Sequence, residues 1–271
     1  MKKMSLKKKI ILVLTGFVVI LLLAGFINPL EITSYNVTNN KIPADFDNYT
    51  IVQISDFHLK SFGKNEKRLI NKVKKCNPDI IVFTGDMIDE YHDNIDNLTH
   101  LVKGLSDIAP IYQVTGNHEK TNMVNYSDMV NIYSEYGVTD MNDKSIELTI
   151  GNSSINLTGI DYYSSPDTWN TLLPDDSQYS ILLYHNAGAF DETSKLNFDL
   201  ILSGHTHGGI IRIPFVGGLI NTDRSFGAKY ESGVYTLNNS TLISNRGLGN
   251  APIPRYNNPR EIVKITLHSS N

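Results

Sequence analysis

Six short apolar runs, rich in Ile, Val and Leu, constrain the fold of this 271-residue chain more than any other feature. Between several of them lie stretches whose apolar residues recur at helical spacing, at 66–76 and at 95–106. Short apolar runs that alternate with helical stretches predict βαβ units around a sheet covered on both faces, and therefore an α/β fold. The six runs are TIVQIS (50–55), DIIVFT (79–84), PIYQVT (110–115), SINLTGI (154–160), YSILLY (179–184) and FDLILS (198–203).

The pattern changes after Gly209, where helical spacing gives way to short strand-like segments with turn residues between them. NNS (238–240) is suited to a hairpin turn. No internal repeat or second domain is visible, so residues 31–271 are predicted to form a single domain with a β-rich closing segment. The strand-like segments are IIRIPFVGGLI, ESGVYTLNNSTLISNRGLG and EIVKITLHS.

The first 27 residues differ from the rest of the chain. Residues 1–9 carry five lysines, and residues 10–27 follow without a charge. Eighteen apolar residues are just enough to span a bilayer as a helix, so this stretch predicts a membrane anchor. The lysines before it and Glu31 after it predict a cytoplasmic N-terminus and an extracytoplasmic domain at the cell membrane. The alternative is a cleaved signal peptide and a secreted protein.

Composition excludes two classes of site. Cys76 is the single cysteine, so the chain has neither an intramolecular disulfide framework nor a cysteine-based metal site. The formal net charge is −4, and the part that follows the N-terminal lysines is more acidic still. An acidic domain repels phosphate backbones, so no nucleic-acid partner is expected.

Side chains that bind metals follow five of the six runs within a few residues. In an open α/β sheet, the crevice beyond the carboxyl ends of the strands is where sites form. These side chains, although distant in sequence, are therefore expected to converge on one edge of the sheet. They are Asp56, His58, Asp86, Asn117, His118, His185, His205 and His207.

The hexapeptide GHTHGG (204–209) contributes two of these imidazoles from a glycine-rich segment that disfavours a helix. Apart from His118, the set offers seven ligands, whereas a single catalytic ion usually takes three from the protein. Two divalent ions that share a carboxylate fit this number better. Nitrogen and oxygen ligands without sulfur suit manganese, iron, cobalt or zinc and do not distinguish among them.

Taken in order, these motifs resemble those of the calcineurin-like metallophosphoesterases, and the membrane-anchored bacterial branch is the most similar. The resemblance extends from about Glu31 to the C-terminus and includes SNRGLG (244–249) and PREIVKITL (259–267). One departure is Ile210, where relatives often carry glutamine; this position is not a ligand. The motifs are DxH (56–58), GD (85–86), GNHE (116–119), the lone His185 and GHTHGG (204–209).

The resemblance implies a four-layer α/β/β/α sandwich and hydrolysis of phosphoesters at a centre of two metals. It assigns Asp56, His58, Asp86 and His207 to the first metal. It assigns Asp86, Asn117, His185 and His205 to the second metal, so that Asp86 bridges the two ions. His118 corresponds to a histidine that binds no metal and lies beside the scissile phosphate, where Asn117 also contributes to catalysis.

The expected protein is a membrane-anchored phosphodiesterase or phosphatase that acts outside the cell membrane. Its substrate would be a phospholipid, a lipid-linked sugar phosphate or a cell-wall phosphoester. Arg212 and Arg246 are candidate contacts for the substrate phosphate, with surface ion pairs as the alternative. Two other functions stay open at this point: a catalytically silent, membrane-tethered recognition module that binds metal, and a nuclease of the same fold.

Overall fold

Two six-stranded sheets form the centre of the computed structural model, which describes residues 5–92, 94–121, 123–221, 226–227, 229–250 and 253–270. In spatial order the first sheet contains β1 (Leu30–Asn39), β14 (Arg260–Ser269), β2 (Thr50–Ile54), β3 (Ile80–Thr84), β4 (Ile111–Val114) and β5 (Thr139–Asp140). The second contains β12 (Gly233–Leu237), β13 (Ser240–Ser244), β9 (Leu200–Gly204), β8 (Ser180–Asn186), β7 (Ser153–Ile160) and β6 (Lys144–Ile150). A separate hairpin pairs β10 (Ile211–Ile213) with β11 (Gly217–Ile220).

Most neighbouring strands that carry the predicted runs are parallel to each other, whereas β14 lies antiparallel to β2. In the first sheet, β2 pairs in parallel with β3, β3 with β4 and β4 with β5. In the second sheet, β8 lies parallel to both β7 and β9. All six predicted runs are strands of these two sheets, and the NNS hairpin is present between β12 and β13. Because parallel strands end at the same edge of their sheet, the loops that follow them are neighbours in space.

Helices cover the outer face of each sheet, which gives four layers. α2 (Lys67–Lys75), α3 (Asp96–Ser106) and α4 (Met123–Glu135) contribute to an apolar core against the first sheet. A second core, which includes Ile51 and Leu183, contains apolar residues of both sheets. A third core joins the second sheet to the short helices α5 (Pro166–Asn170) and α6 (Phe190–Thr193). The fold is therefore a mixed α/β sandwich of the predicted layer order.

The predicted helices α2 and α3 form because each buries one apolar stripe. Leu69 and Val73 of α2 are four residues apart and lie on the same face, where both are buried. In α3, the buried residues Leu98, Leu101 and Leu105 repeat at the same helical spacing. Helix α4 was not predicted from the sequence.

The N-terminal helix α1 spans Leu6–Ala24, so it begins four residues before the predicted segment 10–27 and ends three residues before its end. Among the described residues, no helix has both the length and the apolar character needed to cross a membrane. The chain leaves α1 along the loop that precedes β14. The Asn257 amide donates to the Gly25 carbonyl at 2.6 Å, and the rings of Phe26 and Tyr256 lie 5.0 Å apart.

Candidate metal centre

The carboxyl ends of β2, β3, β8 and β9 bring the predicted ligands together at one edge of the sandwich. Two groups of side chains have ligand atoms that all lie within 4.8 Å of one another. Asp86 belongs to both groups, which is the arrangement expected of a carboxylate shared by two ions. The first group is Asp56, His58, Asp86 and His207, and the second is Asp86, His185 and His205.

In the first group, the nitrogen and oxygen atoms that could bind a metal lie close together. The Nε2 atoms of His58 and His207 are 3.2 Å apart, and His207 Nε2 lies 3.3 Å from Asp56 Oδ1. The second carboxylate is slightly further away, with Asp86 Oδ2 at 3.7 Å from His58 Nε2. Two imidazoles and two carboxylates at these separations form a compact set for one divalent ion without sulfur.

In the second group, His185 occupies the central position. Its Nε2 lies 3.2 Å from Asp86 Oδ2 and 3.2 Å from His205 Nδ1. Its other ring nitrogen, Nδ1, donates to the Thr84 carbonyl at 2.7 Å. This backbone contact fixes the ring and leaves Nε2 free to bind a metal, as outer hydrogen bonds commonly do for histidine ligands.

Five of the clustered side chains stand on backbone with positive φ, an unusual conformation for residues other than glycine. Each such residue costs roughly 1–2 kcal/mol, and such strain is concentrated at functional sites. Sharp turns immediately after the strands allow the side chains to point back over the strand ends. The residues and their φ values are Asp56 (50°), His58 (45°), Asp86 (55°), His205 (74°) and His207 (50°).

Glu119 holds the turn that carries Asp86. Its carboxylate accepts backbone N–H groups from Asp86 at 3.0 Å, from Gly116 at 2.6 Å and from Met87 at 2.6 Å. Burial and the neighbouring charge of Asp86 raise the pKa of Glu119 to about 7. Glu119 therefore acts on the centre through Asp86, since it belongs to neither ligand group.

At four of the ligands, the electrostatics of the cluster favour the protonation state that metal binding requires. Burial opposes ionisation of Asp56 and Asp86, but the adjacent histidines overcome this effect and lower the pKa of each carboxyl below its usual range. Burial lowers the pKa of His58 to about 4 and that of His205 to about 4 as well. His185 differs, because Asp86 outweighs burial and raises the pKa of His185 to about 10.

Asn117 and His118 lie beside the two groups. Among the described residues, neither Asn117 Oδ1 nor His118 Nδ1 has a hydrogen-bond partner, although both atoms are buried. A buried polar atom without a partner is costly, and a bound ion would satisfy the amide oxygen. The His118 amide donates to Asp86 Oδ1 at 2.8 Å, and its ring contacts that of His58 at 4.9 Å.

A cavity of about 880 Å³ opens onto the centre. His58, His205 and His207 line it together with Asn117 and His118. Its volume is within the range typical of sites for small molecules, and it is much larger than one phosphate group needs. The cluster is therefore accessible to a substrate.

Comparison with known proteins agrees with this geometry, since the family model for calcineurin-like phosphoesterases matches residues 49–209. The chain belongs to this family. It is 33% identical over 264 residues to the uncharacterized metallophosphoesterase YkuE of Bacillus subtilis, which covers 92% of this chain and 90% of that protein. An uncharacterized metallophosphoesterase of Aquifex aeolicus is 28% identical over 255 residues, which covers 88% of this chain and 92% of the relative. Phosphodiesterase YaeI of Escherichia coli is 23% identical over 197 residues, 70% of each chain.

The protein is thus a metal-dependent phosphoesterase with two divalent metal ions as its cofactors. The buried Asp and His side chains described above suit a centre with two ions. Asn117, whose amide oxygen has no partner among the described residues, lines the same cavity. All the ligand residues of the sequence analysis therefore lie at one edge of this phosphoesterase.

The two arginines predicted as substrate contacts are engaged elsewhere in the phosphoesterase. Arg212 donates to the Gly208 carbonyl at 2.6 Å and lies 3.5 Å from a Glu231 carboxylate oxygen. Arg246 pairs with Glu261 at 2.9 Å. Neither arginine is among the residues that line the cavity. Each guanidinium group therefore forms an ion pair, in line with the alternative drawn from the sequence, and contact of either arginine with a substrate phosphate stays a prediction.

Three residues at the centre were not recognised from the sequence as part of it. The Tyr162 ring lies 5.7 Å from that of His185, and the Tyr163 hydroxyl donates to the Asn117 carbonyl at 2.9 Å. Both tyrosines follow the end of β7, so they could have been predicted by the same rule as the ligands, which also follow strand ends. Arg255 is buried, and its Nη2 lies 3.3 Å from His207 Nδ1. No local pattern in the sequence indicates that contact.

Proposed function

We propose that this phosphoesterase hydrolyses phosphodiesters, with substrates at the outer face of the cell membrane. The observation that carries the proposal is the pair of ligand groups that share Asp86 and open into a cavity far larger than a phosphate. A diester has two substituents to accommodate, and a large cavity offers space for them. The name of the Escherichia coli relative, a phosphodiesterase, supports the same preference.

We assign Asp56, His58, Asp86 and His207 to the first metal. Asp86, Asn117, His185 and His205 bind the second. When bound, the two ions supply Lewis-acid activation of the phosphoryl group and a water molecule acidified to a working pKa near 7. Glu119 keeps Asp86 between the two groups through its backbone hydrogen bonds.

His118 provides the proton for the leaving group. His118 lines the cavity but belongs to neither ligand group, so its imidazole ring is available to the substrate. A proton donated from this ring to the departing oxygen prevents an alkoxide from accumulating. General-acid catalysis of this kind contributes about 10²–10⁴-fold to the rate. Asn117, the neighbouring residue, keeps its amide in the same cavity and helps to orient the scissile phosphate.

The membrane location rests on α1 and the lysines at its start. The side chains of Leu14, Phe17 and Ile20 are 58%, 57% and 65% exposed, so this helix offers apolar surface that lipid would cover. Lys7–Lys9 stand in its first turns, where ammonium groups can reach phospholipid head groups. We propose that the segment 10–27 is a single-pass anchor with the N-terminus inside, so that lipid-linked phosphoesters are the nearest substrates.

The test uses the full-length protein in detergent micelles, stripped of metal and then supplied separately with Mn²⁺, Zn²⁺, Fe²⁺ or Mg²⁺. Hydrolysis of bis-p-nitrophenyl phosphate is compared with hydrolysis of the monoester. We expect metal-restored turnover with a preference for the diester, and loss of that turnover in Asp86→Ala. Faster hydrolysis of the monoester would contradict the diester assignment. Turnover that persists in Asp86→Ala would contradict the assigned centre.

A further inference from the structure

The cavity at the metal centre extends well beyond the ligands. Its wall continues to Lys60, Ser61, His92 and Asn97, none of which belongs to either ligand group. An adjoining recess of about 800 Å³ shares Ser61, His92 and Asn97 with it. The metal centre therefore occupies one part of a longer groove formed by the cavity and the recess. The rest of this groove can contact a part of the substrate that is distant from the scissile phosphate.

His92 is held in a fixed orientation on this wall. Asp89, which is 3% exposed, accepts the backbone N–H of Tyr91 at 2.9 Å and that of His92 at 3.0 Å. The same carboxylate lies 2.8 Å from His92 Nδ1. Because Nδ1 is engaged by Asp89, Nε2 is the ring nitrogen left for a ligand. The His92 side chain is 61% exposed and lines the cavity, so a ligand can reach its ring.

Lys60 contributes a positive charge to the same cavity. It is partly buried, and no carboxylate of the described residues lies within ion-pair distance of its ammonium group. Among the described residues, the lysines that do form ion pairs are Lys41, Lys120, Lys144 and Lys229. An ammonium group on a cavity wall that has no counter-charge among the described residues favours an anionic ligand.

We propose that Lys60 and His92 form a second anion-binding subsite, and that the natural substrate carries a further negative group besides the scissile phosphodiester. That group, a phosphate, sulfate or carboxylate joined covalently to the same molecule, accepts a hydrogen bond from the Lys60 ammonium. It accepts a second one from Nε2–H of the doubly protonated His92 ring, whose Nδ1–H is donated to Asp89. Asp89 is a positioning residue in this subsite, since it acts through the His92 ring. The inference deepens the proposed function and rests on it.

Two matched substrates isolate the second charge. Both are p-nitrophenyl phosphodiesters of a three-carbon alcohol, whose distal end carries a sulfonate in one and a neutral methyl sulfone in the other. Sulfonate is a weak metal ligand, so it does not compete with the phosphodiester for the metals. The corresponding p-nitrobenzylphosphonates, in which a CH₂ group replaces the oxygen of the p-nitrophenyl leaving group, lack the labile ester bond and provide dissociation constants by calorimetry. The full-length, metal-loaded protein is used throughout.

In the wild-type protein we expect the sulfonate to improve both kcat/KM and binding by about ten-fold over the sulfone, as charge-assisted hydrogen bonds commonly do. The ratio is expected to fall to about 2 or less in Lys60→Gln, because the ammonium supplies most of the charge. His92→Gln and Asp89→Asn should lower it to an intermediate value. Comparing the two ligands within one variant cancels any general effect of the substitution on the neighbouring His58.

Two control variants complete the test. Lys64→Gln removes a lysine of the adjoining recess that does not line the metal cavity, and it should keep the wild-type ratio. Lys60→Arg keeps the positive charge and should retain most of the preference. Equal binding of sulfonate and sulfone by the wild-type protein would overturn the subsite, as would a preference that Lys60→Gln leaves intact. Binding decides the subsite separately from turnover, so loss of turnover with both substrates would count against the proposed function alone.

Discussion

At the scale of single residues, Asp86 is the side chain on which the centre depends most. It is shared by the two ligand groups, its own amide is held by Glu119, and its Oδ1 accepts the His118 amide. A single carboxylate thus links both metal positions to the proposed proton donor. Substitutions at Asp86 test its role as a metal ligand, and substitutions at Glu119 test the role of the residue that holds Asp86 in place.

Asp86→Asn should bind both metals weakly and lose at least about a hundred-fold in turnover. This exceeds the usual effect of residues that only support a ligand, because the substitution removes the shared charge itself. Metal content by mass spectrometry and hydrolysis of a diester measure the two effects. Asp161→Asn is the control, since Asp161 also follows a strand but pairs with Lys120. Equal metal loss in both variants would contradict the assignment.

Glu119→Ala should lower the free energy of unfolding of the metal-free protein by about 3 kcal/mol. Three buried backbone N–H groups would lose their acceptor, and an unsatisfied buried group typically costs 1–3 kcal/mol, with partial relief from water. Urea denaturation measures the change, and Glu90→Ala provides the control because Glu90 is exposed. A difference of less than about 1 kcal/mol between the two variants would show that Glu119 does not support the turn.

At the scale of elements, the strand ends determine where the ligands lie, and this part was predictable from the sequence. Strands such as β3 and β9 are buried throughout, so they are recognisable as continuous apolar runs. Since parallel strands end at one edge, the residues after them must converge. The division into two sheets came from the family resemblance, because apolar runs alone do not reveal which strands pair.

Other features were not predictable, for physical reasons. α4 buries Met129, Ile132 and Tyr133 but also the polar residue Asn125, so its apolar stripe is interrupted. Arg255 contacts His207 across 48 residues of sequence, through a loop whose path depends on the finished fold. Tertiary contacts of this kind leave no local pattern.

The close packing of β9 against the first turn makes Gly204 a sensitive position. A Cβ added there would overlap Ser55 Oγ and the Asp56 carboxylate, so these groups would have to move. Gly204→Ala should therefore displace Asp56 and lower metal content and turnover by at least about ten-fold, as ligand misplacement does. Gly104→Ala is the matched control, because its Cβ meets the flexible tip of Ile70 instead. Full metal occupancy in Gly204→Ala would show that Asp56 is not needed in its present position.

At the scale of the whole molecule, the segment that follows α1 is hydrogen-bonded to the loop that reaches the metal centre. Asn28 donates to the Arg255 carbonyl at 2.9 Å and accepts the Asn258 amide at 2.9 Å. Asn258 in turn donates to the His207 carbonyl at 2.6 Å. A membrane helix attached in this way would hold the centre at a fixed orientation to the lipid surface, because few freely rotating residues separate them.

Removing residues 1–24 should release the protein from membranes and leave its chemistry in place. The remaining chain retains Gly25 and Asn28, and with them the contacts to the loop before β14. We expect the shortened protein to stay in the supernatant after ultracentrifugation of cell extracts, whereas the full-length chain sediments with membranes. Metal-restored hydrolysis of a soluble diester should be similar in the two. Sedimentation of the shortened protein with membranes would contradict an anchor in this helix.

Anomalous diffraction from crystals of the protein loaded with Mn²⁺ tests the two-metal centre directly. We expect two peaks about 3.5–4 Å apart on either side of the Asp86 carboxylate, as in other centres with two metals. One peak should contact Asp56, His58 and His207, and the other should contact Asn117, His185 and His205. A single peak at saturating Mn²⁺, or two peaks that do not share Asp86, would contradict the proposed two-metal centre.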